Sequence, residues 1–374
     1  MGSKSTRLAV VVLALLVAMV FGRSADEWKS RTIYQLLTDR FARGDGSSDG
    51  CGNLGYYCGG NYRGIINNLD YIQGMGFDAI WISPIIDNYN GGYHGYWGRN
   101  IYSLNGNFGS EQDFYDFVNA CHARDIWVMV DVVGNHMGNT DTNYGSNYLL
   151  NDASHYHDYC IISDNDFATY NQNRIENCRL AGLADLKQEN DYVRTTLLTW
   201  INTIVKKYNI DGLRVDTVPE VPKWFWQQFT GSSGVYTVGE VFNGDMGYVG
   251  GYVGTVTSVL NYPFFYWVRD TLFNTKDMTN LRSYYSEWSK KIDLKQLNYM
   301  ANFVDNHDNA RWLSWGGDWE KKKKVFKTGN LLALTSVGIP IVYYGSEQYF
   351  AGGNDPNNRE ILWRNLDRYI FVLS

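Results

Sequence analysis

The chain has no surplus of positive charge: 33 Lys and Arg stand against 39 Asp and Glu, a net charge of −6. It therefore offers no basic surface to a nucleic acid, and no long run of like charge forms a tail. No Asn-x-Ser/Thr triplet occurs, so N-glycosylation is not expected. His and Cys nowhere fall at zinc-ligand spacing, and there is neither a long-period repeat nor a low-complexity tract. Apolar runs of membrane character are also wanting, except at the N-terminus, where Lys4 and Arg7 precede an apolar stretch from Leu8 to Phe21 and then small and polar residues. That pattern predicts a secretory signal peptide, residues 1–24, cleaved between Gly22 and Ala25; the run is too short and too poorly flanked to span a bilayer. A secreted, extracellular product with no membrane partner is expected. Cysteines number only five. In an oxidising compartment the short-range pairs Cys51 with Cys58 and Cys160 with Cys178 are expected, leaving Cys121 as a small core residue within a helical pattern.

What the chain has in quantity is aromatic surface, 13 Trp and 29 Tyr among 374 residues. Most of these pack a core, but such rings also stack on the apolar faces of sugars. The length exceeds one ordinary domain and suits a large domain carrying a smaller one. Along it, short apolar runs alternate with helical periodicity. Strands are expected at Thr32 to Leu37, Ala79 to Ser83, Ile126 to Val133, Gly212 to Thr217, Tyr236 to Phe242, Thr257 to Tyr262, Tyr299 to Val304 and Ile339 to Tyr344. Between them the spacing predicts helices over Ile65 to Met75, Glu111 to Arg124, Asn190 to Tyr208, Val221 to Phe229, a long region ending near Ser289, and Lys321 to Ser336. The continuous apolar character of Ile126 to Val133, broken only by Asp131, belongs to a buried parallel sheet. Eight strands in this rhythm read as a (β/α)8 TIM barrel, an α/β fold. The rhythm lapses after the third strand for about fifty residues, longer than a βα loop, so 134–188 reads as an inserted small domain, with 25–133 and 189–374 forming the barrel.

Three strand ends carry acids. Asp211-Gly-Leu-Arg-Val-Asp-Thr-Val-Pro219 sets Arg214 and Asp216 two apart, on one side of a strand. A guanidinium there favours the ionised carboxylate, which suits a nucleophile and equally suits a structural ion pair. Glu240, after Val238-Gly239, and Asp308, in Phe303-Val-Asp-Asn-His-Asp308, end two further apolar runs. In a parallel barrel such ends meet at one face.

Taken in order, Asp131-Val-Val-Gly-Asn-His136, Gly212-Leu-Arg-Val-Asp216, Gly239-Glu240-Val and Phe303 to Asp308 resemble the characteristic regions of the α-amylase family of glycoside hydrolases. Tyr71-Ile-Gln-Gly-Met-Gly-Phe, Tyr93-His-Gly-Tyr-Trp and Gly352-Gly-Asn-Asp-Pro-Asn-Asn-Arg359 are similar to the secreted fungal α-amylases in particular. The resemblance implies a retaining α-1,4-glucan endohydrolase acting on starch and related glucans, working as a monomer, with Asp216 as nucleophile, Glu240 as acid/base and Asp308 as transition-state stabiliser. Arg214 would keep Asp216 ionised, while an apolar surrounding would raise the pKa of Glu240. It further implies that His94, His136 and His307 hold sugar hydroxyls, that Tyr96 and Trp97 form a stacking platform, that Asp355 and Arg359 contact sugar from the last loop, and that Gly244 allows close backbone approach. A structural calcium ion is implied at Asn135, Glu176, Asp185 and Glu220, between barrel and insertion, partly through backbone carbonyls.

Two departures from the family pattern stand out. Pro219-Glu220 replaces the usual Lys-His after the nucleophile strand, which alters the leaving-group subsites. The residues after Arg364 are too few for a full eighth helix and a C-terminal β-sandwich, so a C-terminally truncated barrel with an uncovered edge is expected. Two other readings follow: an impaired homologue that only binds glucans, and an α-glucosidase or transglycosylase of the same family.

Overall fold

The computed structural model describes residues 22–273 and 277–366. The expected signal peptide lies outside these residues except for Gly22 to Ser24, and so does the end of the chain, 367–374.

Eight strands run parallel: β1 (Ile33–Gln35), β2 (Ala79–Ile82), β3 (Trp127–Val132), β4 (Gly212–Val215), β5 (Tyr236–Gly239), β6 (Ser258–Val259), β7 (Ala301–Asn302) and β8 (Ile339–Tyr343). Each pairs with its neighbour in sequence from β1 through β6, and β8 pairs with both β1 and β7. A parallel bridge from Leu260 to Ala301 links the β6 side to β7, supported by Asn261 N donating to Ala301 O at 2.8 Å. The two edges of the sheet thus meet, and the expected (β/α)8 barrel is present. Its strands are buried because their residues are mostly apolar, as in β3, all six of whose residues, Asp131 included, are buried.

The helices around this ring follow from local sequence. Asp191–Tyr208 buries Val193, Leu197, Trp200, Ile201, Ile204, Val205 and Tyr208 along one face. Asn190 caps it by accepting from the amides of Tyr192 and Val193, and Asn209 ends it at φ 54°, a left-handed turn that Asn tolerates. Other expected boundaries move for identifiable reasons. The helix expected from Val221 starts at Lys223, because Pro222 sits at the N-cap, and continues to Ser233, where Gly234 at φ 70° stops it. The helix expected over Ile65 to Met75 is two, Tyr62–Asn67 and Leu69–Gly74, parted at Asn68, which leaves helical geometry at φ −124°. β6 and β7 are two-residue strands, since Tyr262 already opens the helix Tyr262–Phe273 and Tyr299 closes a 3-10 turn. The long helical region divides into Tyr262–Phe273 and Thr279–Trp288.

Between β3 and β4 the chain makes an excursion from the barrel. Its two ends are clamped by a short antiparallel ladder, His136 opposite Asp185 and Met137 opposite Ala184. A small separate core of Ile162, Ile175 and Cys178 lies within it. Both expected disulfides, Cys51–Cys58 and Cys160–Cys178, are present, and Cys121 is free and buried. Between β2 and the next helix a hairpin of Ile86–Asn88 and Gly98–Leu104 projects the loop that carries His94, Tyr96 and Trp97.

Candidate active site

Register places the charged side chains. Asp131 in β3 stands opposite Arg214 in β4, and Arg214 stands opposite Val238 in β5. Asp216 and Glu240 each lie two residues beyond that rung, so all four side chains emerge on the same side at the C-terminal end of the barrel. Arg214 is completely buried and binds all three acids. Its Nη1 lies 2.6 Å from Asp216 Oδ1 and 3.0 Å from Asp131 Oδ1, and its Nη2 lies 2.9 Å from Glu240 Oε2. Immediately after Asp216 the backbone turns through Thr217 at φ 49°, an unusual conformation for a β-branched residue. That turn aims the Thr217 amide at Glu240 Oε2, 3.2 Å away.

Glu240 was expected to be set apart from Asp216 by apolar surroundings; instead one guanidinium touches both. Burial is the larger force. It pushes the Glu240 carboxyl well above the ordinary range against the pull of Arg214, and the negative charges of Asp216 and Asp308 add to it. Tyr262 OH approaches the other oxygen, Oε1, at 3.4 Å. Asp131 is likewise pushed up by burial, opposed by Arg214.

Behind these acids lies a hydrogen-bonded chain. Gln35 Nε2 faces His307 Nδ1 at 2.8 Å; His307 Nε2 lies 2.6 Å from Tyr96 OH, and that hydroxyl donates to Asp131 Oδ2 at 2.8 Å. Burial holds the His307 imidazole neutral, its pKa well below the ordinary value, and the positive charges of Arg214 and Arg359 act in the same direction. Asp308 is the most open of the three predicted acids; its Oδ1 is 3.4 Å from His307 Nε2 and 3.9 Å from Arg359 Nη2. Arg359 also donates from Nη2 to the His307 carbonyl at 3.0 Å and binds Asp355 at 3.1 Å.

A cavity of about 660 Å3 opens over this cluster, walled by Tyr96, His136, Asp216, Glu240, Asp308, Asp355 and Arg359 on its polar side. Phe167, Tyr170, Leu183 and Phe242 supply an apolar wall, and Pro219 and Glu220 also line it. The remaining predicted residues lie close behind or beside it. Arg214 and His307 are buried and contact the acids that line it. His94 accepts from the Tyr96 amide at 3.0 Å, and burial, with the charge of Arg359, lowers its pKa to about 3. Trp97 sets its ring edge against His94 with centroids 4.8 Å apart. Gly244 is also outside the wall. A Cβ there would lie 2.9 Å from the Tyr266 ring, so its smallness serves that packing.

Asn135, Asp185 and Glu220 converge at the root of the excursion. One atom of the Asn135 amide stands 3.2 Å from the Glu220 carbonyl and 3.1 Å from Asp185 Oδ1. With nitrogen at that place the amide donates to both. With oxygen there, three oxygens face one another at a spacing that suits a cation held at about 2.3–2.6 Å from each. The buried Glu220 Oε2 has no hydrogen-bond partner among the described residues. Glu176 is half-buried nearby, and Gln172 bonds both its carboxylate and the Pro219 carbonyl, each at 2.8 Å. No group of three or more His, Cys, Asp or Glu side chains arranged for a metal occurs among the described residues; the convergent set is instead one amide, one carboxylate and one carbonyl.

The sequence pattern of the alpha amylase catalytic domain matches residues 35–367. The chain belongs to the α-amylase family. It is a glycoside hydrolase, 39% identical to an α-amylase of Saccharomycopsis fibuligera over 94% of this chain and 74% of that one. It is 40% identical to α-amylase 2 of Schwanniomyces occidentalis over 91% of this chain and 68% of the relative. Among solved structures, an α-amylase from Malbranchea cinnamomea superposes with a TM-score of 0.83 at 40% identity, covering 91% of this chain and 74% of that one.

Several residues of this family member's site were not singled out from the sequence. Asp131 appeared there as a polar break in β3 and as the first residue of a family-like stretch, with no role given to it, although an acid in an otherwise apolar buried strand is itself a signal that something cationic faces it. Gln35, Tyr262 and the amide of Thr217 carry no local signal, since register across the barrel determines what they meet.

Proposed function

We propose that the chain is a secreted, endo-acting α-1,4-glucan hydrolase that cleaves starch and related glucans with retention at the anomeric carbon. The observation that carries this reading is Arg214 bound at once to Asp216 and Glu240, at 2.6 and 2.9 Å. Two carboxyls held on the two terminal nitrogens of one guanidinium lie near each other, which supports the close pairing, roughly 5 Å, of a retaining mechanism. Asp216 attacks the anomeric carbon while the glycosidic bond breaks, and the leaving oxygen takes the proton that burial keeps on Glu240. Glu240, now a carboxylate, removes a proton from water, whose oxygen attacks the same carbon and releases Asp216. Asp308 faces the positive charge that develops on the sugar, and His136, Tyr96, Asp355 and Arg359 orient its ring.

The Asn135, Asp185 and Glu220 oxygens, with Glu176 beside them, fit a calcium ion that would tie the excursion to the barrel. Secretion is supported by the N-terminal signal pattern and the two disulfides; no helix among the described residues is long and apolar enough to cross a membrane.

Asp216→Asn and Glu240→Gln should each abolish release of reducing ends from soluble starch while the variants remain folded. Retained activity in either one refutes the assignment. A ladder of oligosaccharide products indicates internal cleavage, whereas glucose alone would point to a glucosidase. Chelation should lower the thermal midpoint of the wild type and change that of Asn135→Ala far less.

A further inference from the structure

A second cavity, of about 560 Å3, shares no lining residue with the first. Three stretches distant in sequence build it: Asp87, Arg99 and Asn100 of the hairpin, the 145–151 segment of the excursion, and Tyr192 in the first turn of the helix Asp191–Tyr208. Two of its lining tyrosines are notably open, Tyr148 at 53% and Tyr192 at 46% exposure. Tyr102, 40% exposed, stands on the same hairpin strand as Arg99 and Asn100.

The rings of Tyr102 and Tyr192 are exposed yet held in place, and Tyr148 is anchored through its backbone. Tyr148 N donates to the Arg99 carbonyl at 3.0 Å, Tyr102 OH donates to the Thr196 carbonyl at 3.3 Å, and the Tyr192 ring stacks on His155 with centroids 4.9 Å apart and planes 18° apart. Open aromatic faces fixed before a ligand arrives lose little entropy on binding. The charges in the cavity cancel, because Arg99 binds Asp87 at 2.9 Å, so the site does not select an ion. It offers instead uncharged donors and acceptors. The Asn151 side chain and the hydroxyls of Tyr148 and Tyr192 make no hydrogen bond among the described residues. A cavity of ligand size with flat apolar faces and neutral polar edges matches a pyranose ring, apolar on its faces and hydroxylated at its rim.

We propose that this cavity binds a short stretch of neutral α-glucan chain, giving the polymer a second point of attachment away from the catalytic cavity. The proposal rests on the α-glucan reading above. Its test is retardation of the Asp216→Asn chain during electrophoresis through gels containing soluble starch, compared with the same chain carrying Tyr148→Ala and Tyr192→Ala together, and separately Asn151→Ala. The dissociation constant for starch should rise roughly fivefold to tenfold in the double substitution and by a smaller factor in Asn151→Ala. With Asp216 restored, both sets should cleave a short chromogenic maltooligosaccharide within about twofold of the wild-type rate.

Unchanged retardation in both sets overturns the proposal, and so does equal retardation by a β-linked glucan. Should the double substitution also slow cleavage of the short substrate, Asn151→Ala decides: lost retardation with normal cleavage supports the site, and normal retardation rejects it. If the wild type fails to cleave any maltooligosaccharide, the hydrolase reading falls, while starch retardation still reports on this cavity.

Discussion

Replacing Tyr96 by Phe removes a single oxygen and leaves the ring in place, which makes it a sharp probe of the chain of hydrogen bonds behind the acids. The hydroxyl lies 2.8 Å from Asp131 Oδ2 and 2.6 Å from His307 Nε2. With Gln35 Nε2 donating to Nδ1 of a neutral His307, the ring proton sits on Nε2 and is donated to Tyr96, which donates its own to Asp131. A hydrogen bond to a carboxylate contributes about 1.5–3 kcal/mol and a neutral one about 0.5–1.5. Asp131 Oδ2 keeps Trp81 Nε1 at 3.2 Å and Arg214 Nη1 at 3.1 Å, so the first figure belongs at its low end and the total is about 2–3 kcal/mol. If half of that is felt in the transition state, because Asp131 then positions Arg214 less firmly against Asp216 and Glu240, kcat falls roughly tenfold. Tyr96→Leu additionally removes the ring stacked on His307 at 5.5 Å and 7°, a further loss of about 0.5–1.5 kcal/mol. Urea unfolding together with kcat and KM on maltoheptaose reads both quantities. The expected result for Tyr96→Phe is a lower unfolding midpoint and a lower kcat with KM nearly unchanged. A variant indistinguishable from wild type in both would show that the hydroxyl links nothing.

Three other outcomes are expected. Folding favours the protonated form of Glu240, since burial raises its pKa well above the ordinary value; the stability this confers is present below the unfolded pKa and lost as pH rises through the folded one. Glu240→Gln cannot ionise, so its thermal midpoint should gain on that of the wild type as pH is raised from about 5 to about 9, and parallel melting curves across that range would contradict the burial argument. Gly138→Ala would set a Cβ 2.4 Å from the backbone carbon and oxygen of Trp97, which must displace the loop carrying Tyr96. A stability loss of about 1–3 kcal/mol with reduced kcat is expected, and a silent substitution would mean that the loop yields freely. Cys121 is the one free thiol, buried and with its pKa raised by burial, so Ellman's reagent should find no thiol in the native chain and one after denaturation without reductant.

How much of this was legible in the sequence depended on the range of the signal. Buried parallel strands announce themselves as largely apolar runs, so β3 and the acids at the ends of β4 and β5 could be read locally, and so could the helical spacing over 190–208. Register could not be read this way. That Arg214 faces Asp131 across one strand pair, and that Gln35 reaches His307, are consequences of how eight strands close on one another. The glycines make the same point from the other side: Gly244 and Gly138 are alike in sequence, yet the neighbour that forbids a side chain is Tyr266 for one and the Trp97 backbone for the other.

The largest revision concerns the two central acids. From the sequence, the cation belonged to Asp216 and the apolar surroundings to Glu240, so position alone would assign their roles. In the structure Arg214 touches both, and proximity to the cation no longer distinguishes them. What separates them is the length of that contact and the surroundings of Glu240. Asp216 accepts the shortest of the bonds that Arg214 gives to the acids, at 2.6 Å. Glu240 is buried, near the negative charges of Asp216 and Asp308, and touched by a Tyr262 hydroxyl that can accept as well as donate. Burial therefore favours a proton on Glu240, and any substitution that opens its surroundings to water should weaken its action as an acid before it weakens the attack by Asp216.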